Sequence, residues 1–249
     1  MKIILSPAKK MVRADDDFAY HDLPVFLTRT EELLKELKSY DAAQLKKIWN
    51  CSDALVRENM ERLADMDLRK GLSPAVFSYS GLAFRYLAPG AMTAKQLEYL
   101  ENHLRILSGF YGVLKPFDGI TPYRLEMQAV LPAAGSLYDY WKDSIYKEVR
   151  DEDGIIVNLA SKEYSRCVQE YLGEDDTMIT PVFAEIRNGK PVQKATMAKM
   201  ARGEMTWWLS ENQVEDVRQI VSFNLGYEYS STLSDETEYV FVKKENSHE

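Results

Sequence analysis

Short β-prone runs alternate with helical patterns along the whole chain, without the regular spacing of repeated strand–helix–strand units. Residues Ile155 to Leu159 form an apolar, β-branched run that predicts a buried strand. Leucines at helical spacing predict a helix over 93–107, capped by Thr93. The interleaving predicts an α+β fold, with a mixed β-sheet and surrounding helices in a single compact domain over residues 1–249.

The composition is that of an ordinary globular protein, with 45% hydrophobic and 28% charged residues. No apolar run is long enough to cross a bilayer, and the first residues lack the apolar core of a signal peptide. Cys51 and Cys167 form no CxxC pair, which fits a reducing compartment. We therefore expect a soluble cytoplasmic protein without a membrane partner; no feature of the sequence indicates an oligomeric state.

Charge is segregated along the chain. The net charge is −8, which argues against a general nucleic-acid binder. From Arg187 to Gly203, however, the chain carries five basic residues and no Asp or Glu. A local positive cleft can coexist with an acidic exterior.

Familiar signatures of catalysis and cofactor binding are missing from the sequence. It contains no GxGxxG, GxxxxGK[ST], HExxH or GxSxG motif, and its histidines, His21, His103 and His248, are scattered. The sequence therefore predicts no cofactor and no metal site, and it assigns no catalytic residue.

Two polar clusters follow predicted strands. Ser6 to Lys9 ends the opening β-prone run, and Asn158 to Tyr164 leads from the buried strand into a helix that Ser161 would cap. Ligands of open α/β sheets bind at the carboxyl ends of strands, and a helix N-terminus favours anions. An ordinary turn with a solvated lysine and an ordinary helix cap are the alternatives.

A third cluster runs from Leu104 to Pro116 and contains Gly109 and Gly112. Two glycines at this spacing allow a sharp turn whose backbone N–H groups can hold a phosphate. The segment resembles a helix-hairpin-helix with one extra residue between the glycines. A plain helix C-cap followed by a loop is the alternative.

The remaining clusters contain paired polar residues. Arg124 and Glu126 would share one face of a strand, either as an anion clamp or as a structural ion pair. Lys199 and Arg202 are three residues apart in a basic helix and so share a face. Trp207 and Trp208 follow, and packing in the core is the more common role for such residues.

Taken in order, these clusters resemble the YaaA family of peroxide stress proteins over essentially the whole chain. The motifs that carry the resemblance are Leu5 to Lys9, Leu104 to Asp118, Pro122 to Met127, Leu137 to Trp141, Val157 to Tyr164, Ala198 to Met205, and Phe223 with Gly226-Tyr227. The resemblance implies a cytoplasmic protein that limits peroxide damage by lowering free iron, with DNA bound through a helix-hairpin-helix element and a positive cleft.

Carried over by position, the resemblance and the glycine pair give a set of nucleic-acid-binding or anion-binding candidates. They are Ser6, Lys9, Arg105, Ser108, Gly109, Tyr111, Gly112, Arg124, Glu126, Asn158, Ser161, Lys199 and Arg202. The expected partner is double-stranded DNA or a phosphate-bearing small molecule. The alternative function is an enzyme acting on a small anionic substrate, with Tyr111 or Glu126 carrying protons.

Overall fold

A mixed eight-stranded sheet organises the fold in the computed structural model, which describes residues 1–14 and 18–244. The strands of this sheet and of two small two-stranded sheets are β1 (Lys2–Leu5), β2 (Ser73–Pro74), β3 (Leu104–Ser108), β4 (Gly112–Leu114), β5 (Gly119–Ile120), β6 (Val130–Leu131), β7 (Gly135–Ser136), β8 (Ile155–Leu159), β9 (Thr177–Arg187), β10 (Lys190–Val192), β11 (Tyr227–Tyr229) and β12 (Glu238–Lys243).

Helices pack around the sheet, and the combination confirms the predicted α+β class. They are α1 (Leu27–Lys38), α2 (Ala42–Trp49), α3 (Asp53–Ala64), α4 (Ala75–Ser78), α5 (Leu82–Leu87), α6 (Ala94–His103), α7 (Leu137–Trp141), α8 (Ser144–Val149), α9 (Lys162–Gln169) and α10 (Ala195–Glu211), with 3₁₀ turns at Pro89–Ala91 and Val217–Ser222. None of the helices in the described part of the chain is long and apolar enough to span a membrane.

The strand order is β11-β12-β9-β8-β1-β3-β4, with β10 paired to β9. β1 lies between β3 and β8 and is parallel to both, and β9 and β12 continue the parallel part. β3, which follows β1 in the chain, pairs on one side of β1, and the later strand β8 pairs on the other side. The carboxyl ends of β1 and β8 therefore form a topological switch point, the position where open α/β sheets bind ligands.

The predicted helix-hairpin-helix element is wrong, because the segment folds as a hairpin of strands. Helix α6 ends at His103, and the next five residues join the sheet, where Leu104 pairs with Ile3 of β1. β3 turns back into antiparallel β4, with Ser108 opposite Gly112. The leucine spacing continues the helical pattern beyond His103. The segment is nevertheless a strand, because all five of its residues are buried and the backbone of β1 provides its hydrogen-bond partners.

Gly109 and Gly112 serve the packing of this hairpin. Gly112 has a φ of +74°, and a Cβ there would lie 2.9 Å from the ring of Phe26. A Cβ on Gly109 would lie 2.7 Å from the carbonyl oxygen of Leu125 and 2.8 Å from the carbonyl carbon of Glu126. The hairpin thus sits directly against the backbone that carries Glu126.

Replacing Gly109 by Ala should destabilise the protein by about 1–3 kcal/mol, because the new methyl group must push rigid backbone away. Urea denaturation measures this loss. Gly90→Ala is the matched control, since no atom lies within 4 Å of a Cβ at Gly90. Equal stability of the two variants would contradict the close packing of the hairpin.

Candidate functional site

A cavity of about 380 Å³ opens at the carboxyl ends of β1 and β8. Five segments form its walls. They are the loop from Leu5 to Lys10, the turn from Ser80 to Phe84 that starts α5, the extended segment from Tyr123 to Glu126, the residues from Leu159 to Tyr164 at the start of α9, and one face of α10. The site therefore gathers residues from distant parts of the chain.

The structure brings seven of the sequence-predicted residues together in this cavity. They are Ser6, Lys9, Arg124, Glu126, Ser161, Lys199 and Arg202. Among the described residues, five basic side chains and two carboxylates line the walls. The cavity is therefore positively charged in a chain whose net charge is −8.

Two serines join the strands at the switch point. The backbone N–H of Ser161 donates to Oγ of Ser6 at 2.8 Å, and the Ser6 hydroxyl donates to Oγ of Ser161 at 3.2 Å. Ser161 is the N-cap residue of α9, but its side chain makes no capping hydrogen bond. Its hydroxyl instead helps to hold the loop after β1 over the cavity.

Glu126 binds two of the cations. Its carboxylate lies 2.7 Å from Nζ of Lys9 and 3.1 Å from the guanidinium of Arg124. The predicted pairing of Arg124 with Glu126 is present, and both side chains are largely buried. Nε of Arg124 is buried and has no hydrogen-bond partner within the described residues.

Arg202 lines the cavity without an ion-pair partner among the described residues. Its Nε is buried and finds no hydrogen-bond partner in the described part of the chain. Desolvation by burial lowers its pKa. Gly203 lets α10 pack tightly on α5, because a Cβ there would overlap the carbonyl oxygen of Ala83. The guanidinium is thus held in a wall where a bound anion would restore the interactions that it lost with water.

Glu163 is a cavity residue that the sequence reasoning did not single out. Burial raises the pKa of its carboxyl group, although a hydrogen bond from the backbone N–H of Gln128 opposes the shift; the charge of Glu126 adds to it. Its position in the first turn of the helix that follows a buried strand is the signal that could have identified it.

Several predicted residues lie outside the cavity and serve the structure around it. Nδ2 of Asn158 donates to Oγ1 of Thr180, and its Oδ1 accepts from the backbone N–H of Ala160. Oγ of Ser108 accepts from the N–H groups of Phe110 and Tyr111, which closes the hairpin turn.

Two tyrosines connect this hairpin to the rest of the protein. The Ser108 hydroxyl lies 2.6 Å from the hydroxyl of Tyr123, which belongs to the cavity wall. The buried hydroxyl of Tyr111 accepts from the N–H of Thr121, away from the cavity. Ser108 therefore contacts a residue of the cavity wall without lining the cavity itself, whereas the Tyr111 hydroxyl makes no hydrogen bond to the wall.

Arg105 faces a different cavity, of about 220 Å³, near the amino end of β3. Its Nη1 donates to the carbonyl oxygens of Glu101 and Leu104. Asp118 lines the same cavity, is buried, and accepts a hydrogen bond from the N–H of Lys115 at 2.8 Å. Burial raises the pKa of Asp118 to about 7. Arg105 is thus separated from the other predicted cations.

Within residues 1–14 and 18–244, no cluster of three or more His, Cys, Asp or Glu side chains is placed to hold a metal ion.

Replacing Asp118 by Asn should make stability less dependent on pH. The raised pKa means that the folded protein keeps a proton on Asp118 between about pH 4 and pH 7, where the unfolded chain has released it, so stability falls as pH rises through this range. Asn carries no charge, so the variant should be about 2–4 kcal/mol more stable than the parent at pH 8.

Chemical denaturation of both proteins at pH 5 and pH 8 measures the effect, and the advantage of the variant should shrink at pH 5. Asp22→Asn is the control, since Asp22 is an exposed carboxylate at the same cavity. An advantage of equal size at both pH values would contradict the assignment.

Comparison with known proteins agrees with the motifs. The family model described as "Peroxide stress protein YaaA" matches residues 1–233. A UPF0246 protein of Agathobacter rectalis is 51% identical over 247 residues, covering 98% of this chain and 99% of that protein. UPF0246 proteins of Pediococcus pentosaceus and Lachnoclostridium phytofermentans are 48% and 45% identical, each covering at least 98% of both chains. The chain belongs to the family of the peroxide stress protein YaaA.

Proposed function

We propose that this protein acts in the peroxide stress response of the cytoplasm by binding a phosphate-bearing ligand in the cavity at the ends of β1 and β8. Family membership supplies the link to peroxide stress. The observation that carries the binding proposal is the half-buried side chain of Arg202, which lines the cavity and whose buried Nε has no hydrogen-bond partner in the described part of the chain.

Phosphate is the anion that best suits these walls. A guanidinium presents several donors in a fixed plane that matches phosphate oxygens, and a lysine adds a mobile point charge. Arg124 and Arg202 supply the first kind of group, and Lys9 and Lys199 supply the second. Because Lys9 is about two-thirds exposed, it can leave Glu126 and turn towards a ligand.

The size of the cavity favours a small ligand over a double helix. A volume of about 380 Å³ is within the range of small-molecule sites, and a duplex could contact only the rim, where Lys9 and Lys10 are exposed. The hairpin of strands at Leu104–Leu114 also removes the helix-hairpin-helix support for duplex binding. In this proposal, the lower free iron and the reduced DNA damage that the family resemblance implies follow indirectly from ligand binding, and the protein itself does not bind iron.

Replacing Arg202 by Met should weaken the binding of inorganic phosphate by about ten-fold or more, because a charge-assisted contact is lost. The same change should stabilise the ligand-free protein by about 1–3 kcal/mol, because it removes a buried donor without a partner. Isothermal titration calorimetry at low salt and urea denaturation without phosphate measure the two effects, with exposed Arg57→Met as the control.

A parallel titration with a duplex oligonucleotide separates the two partners. Unchanged phosphate affinity in Arg202→Met, or no phosphate binding by the parent at low salt, would refute the proposal. Duplex binding that is tight, salt-dependent and insensitive to this substitution would place the functional surface outside the cavity.

A second candidate function is chemistry on the bound ligand, and Glu163 favours it. Burial raises the pKa of this half-buried carboxyl group, so it keeps its proton to a higher pH than an exposed glutamate does and is better suited to proton transfer. The carriers expected from the sequence are less suited: the Tyr111 hydroxyl is buried away from the cavity, and Glu126 is ion-paired with Lys9 and Arg124.

For this second function, ³¹P NMR of the protein with a bound phosphate ester should show a product resonance that Glu163→Gln abolishes without loss of binding. If the spectrum does not change on long incubation with the parent protein, the catalytic function is refuted and ligand binding remains as the proposed function.

A further inference from the structure

A groove of about 600 Å³ lies beside the cavity and shares Glu126 with it. One wall is the end of α2, from Gln44 to Asn50, and the other is the segment from Glu126 to Pro132. The groove and the cavity thus form neighbouring compartments on the two sides of one carboxylate.

The groove differs from the cavity in chemistry. Its apolar surface comes from Ile48, Val130 and Pro132, and Val130 is 63% exposed. Besides the shared Glu126, the exposed Lys47 is the charged residue that lines it. The amide side chains of Asn50 and Gln128 border this surface and make no hydrogen bond to another group in the described part of the chain. An apolar surface bordered by unpaired amides suits a flat heterocycle with polar edges, because each amide offers both a donor and an acceptor.

Glu126 stands between the two compartments with part of its hydrogen-bonding capacity unused. Lys9 and Arg124 each contact one of its oxygens. A carboxylate has about four lone-pair sites, so it can still accept hydrogen bonds from hydroxyl groups of a ligand that passes over it. A sugar presents hydroxyl groups in this way, and acidic residues often bind ribose hydroxyls at switch-point sites.

We propose that the ligand is a nucleoside phosphate, with its phosphate in the cavity, its sugar hydroxyls at Glu126 and its base in the groove. The order of chemistries along the surface, cations, then a carboxylate, then an apolar strip with amides, is the order of groups in such a molecule. A single amide side chain matches the edge of adenine, since it can accept from the N6 amino group and donate to N7. This assignment rests on the proposed function, since it needs the cavity to hold the phosphate.

The test compares three probes that share a phosphate group: inorganic phosphate, ribose 5-phosphate and adenosine 5′-monophosphate. Calorimetric titration of the full chain should give affinities that rise in this order, with adenosine 5′-monophosphate about ten-fold tighter than ribose 5-phosphate. Gln128→Ala should remove most of the gain that the base provides and leave the affinity for inorganic phosphate unchanged. The control is Gln219→Ala, at an exposed glutamine remote in sequence.

The outcomes distinguish this inference from the function on which it rests. If adenosine 5′-monophosphate and ribose 5-phosphate bind equally, or if Gln128→Ala leaves the affinity for the nucleotide unchanged, the groove does not hold a base and the inference is wrong. Binding of inorganic phosphate in that case still supports the proposed function. If none of the three probes binds at low salt, the proposed function itself fails.

Discussion

Backbone pairing of β1 with β3 on one side and with β8 on the other fixes the centre of the sheet and the position of the cavity. β1 has only four residues, and it brings together segments that are 155 positions apart, as the contact between Ser6 and Ser161 shows. Because both neighbours are parallel to β1, the loops that follow β1 and β8 emerge at the same edge of the sheet. The cavity exists where these loops meet α5 and α10.

The positive charge in that cavity lowers the stability of the ligand-free protein, and the same charge would favour the binding of the proposed anion. Removing part of a guanidinium from water without a counter-charge is unfavourable, and the close packing of α10 on α5 at Gly203 holds the helix that carries Arg202 against the cavity. Glu126 neutralises part of the charge through Lys9 and Arg124, whereas Arg202 stays uncompensated within the described residues. If the cavity binds an anion as we propose, its cations are already in place before binding, which lowers the free-energy cost of ordering them.

The sequence predicted the α+β class and seven of the residues that line the cavity, because polar residues after buried strands are a local pattern. It did not predict the hairpin after α6, since the leucine spacing of 93–107 continues past His103 and the edge offered by β1 is not visible locally. Asn158 belongs to the same motif as Ser161, yet its side chain is directed towards Thr180. The motif from Leu104 to Asp118 contributes no residue to the cavity, and its Arg105 lines the second cavity instead. Direction of this kind depends on strand register, which tertiary pairing decides.

Anion binding in the cavity can be observed directly in a crystal structure of the protein soaked with tungstate, a phosphate analogue with strong anomalous scattering. We expect one dominant anomalous peak in the cavity, with its oxygens within hydrogen-bond distance of the Arg202 guanidinium and near Nζ of Lys199. A cavity that holds only ordered water, while tungstate binds elsewhere on the surface or not at all, would show that the cavity is not an anion site.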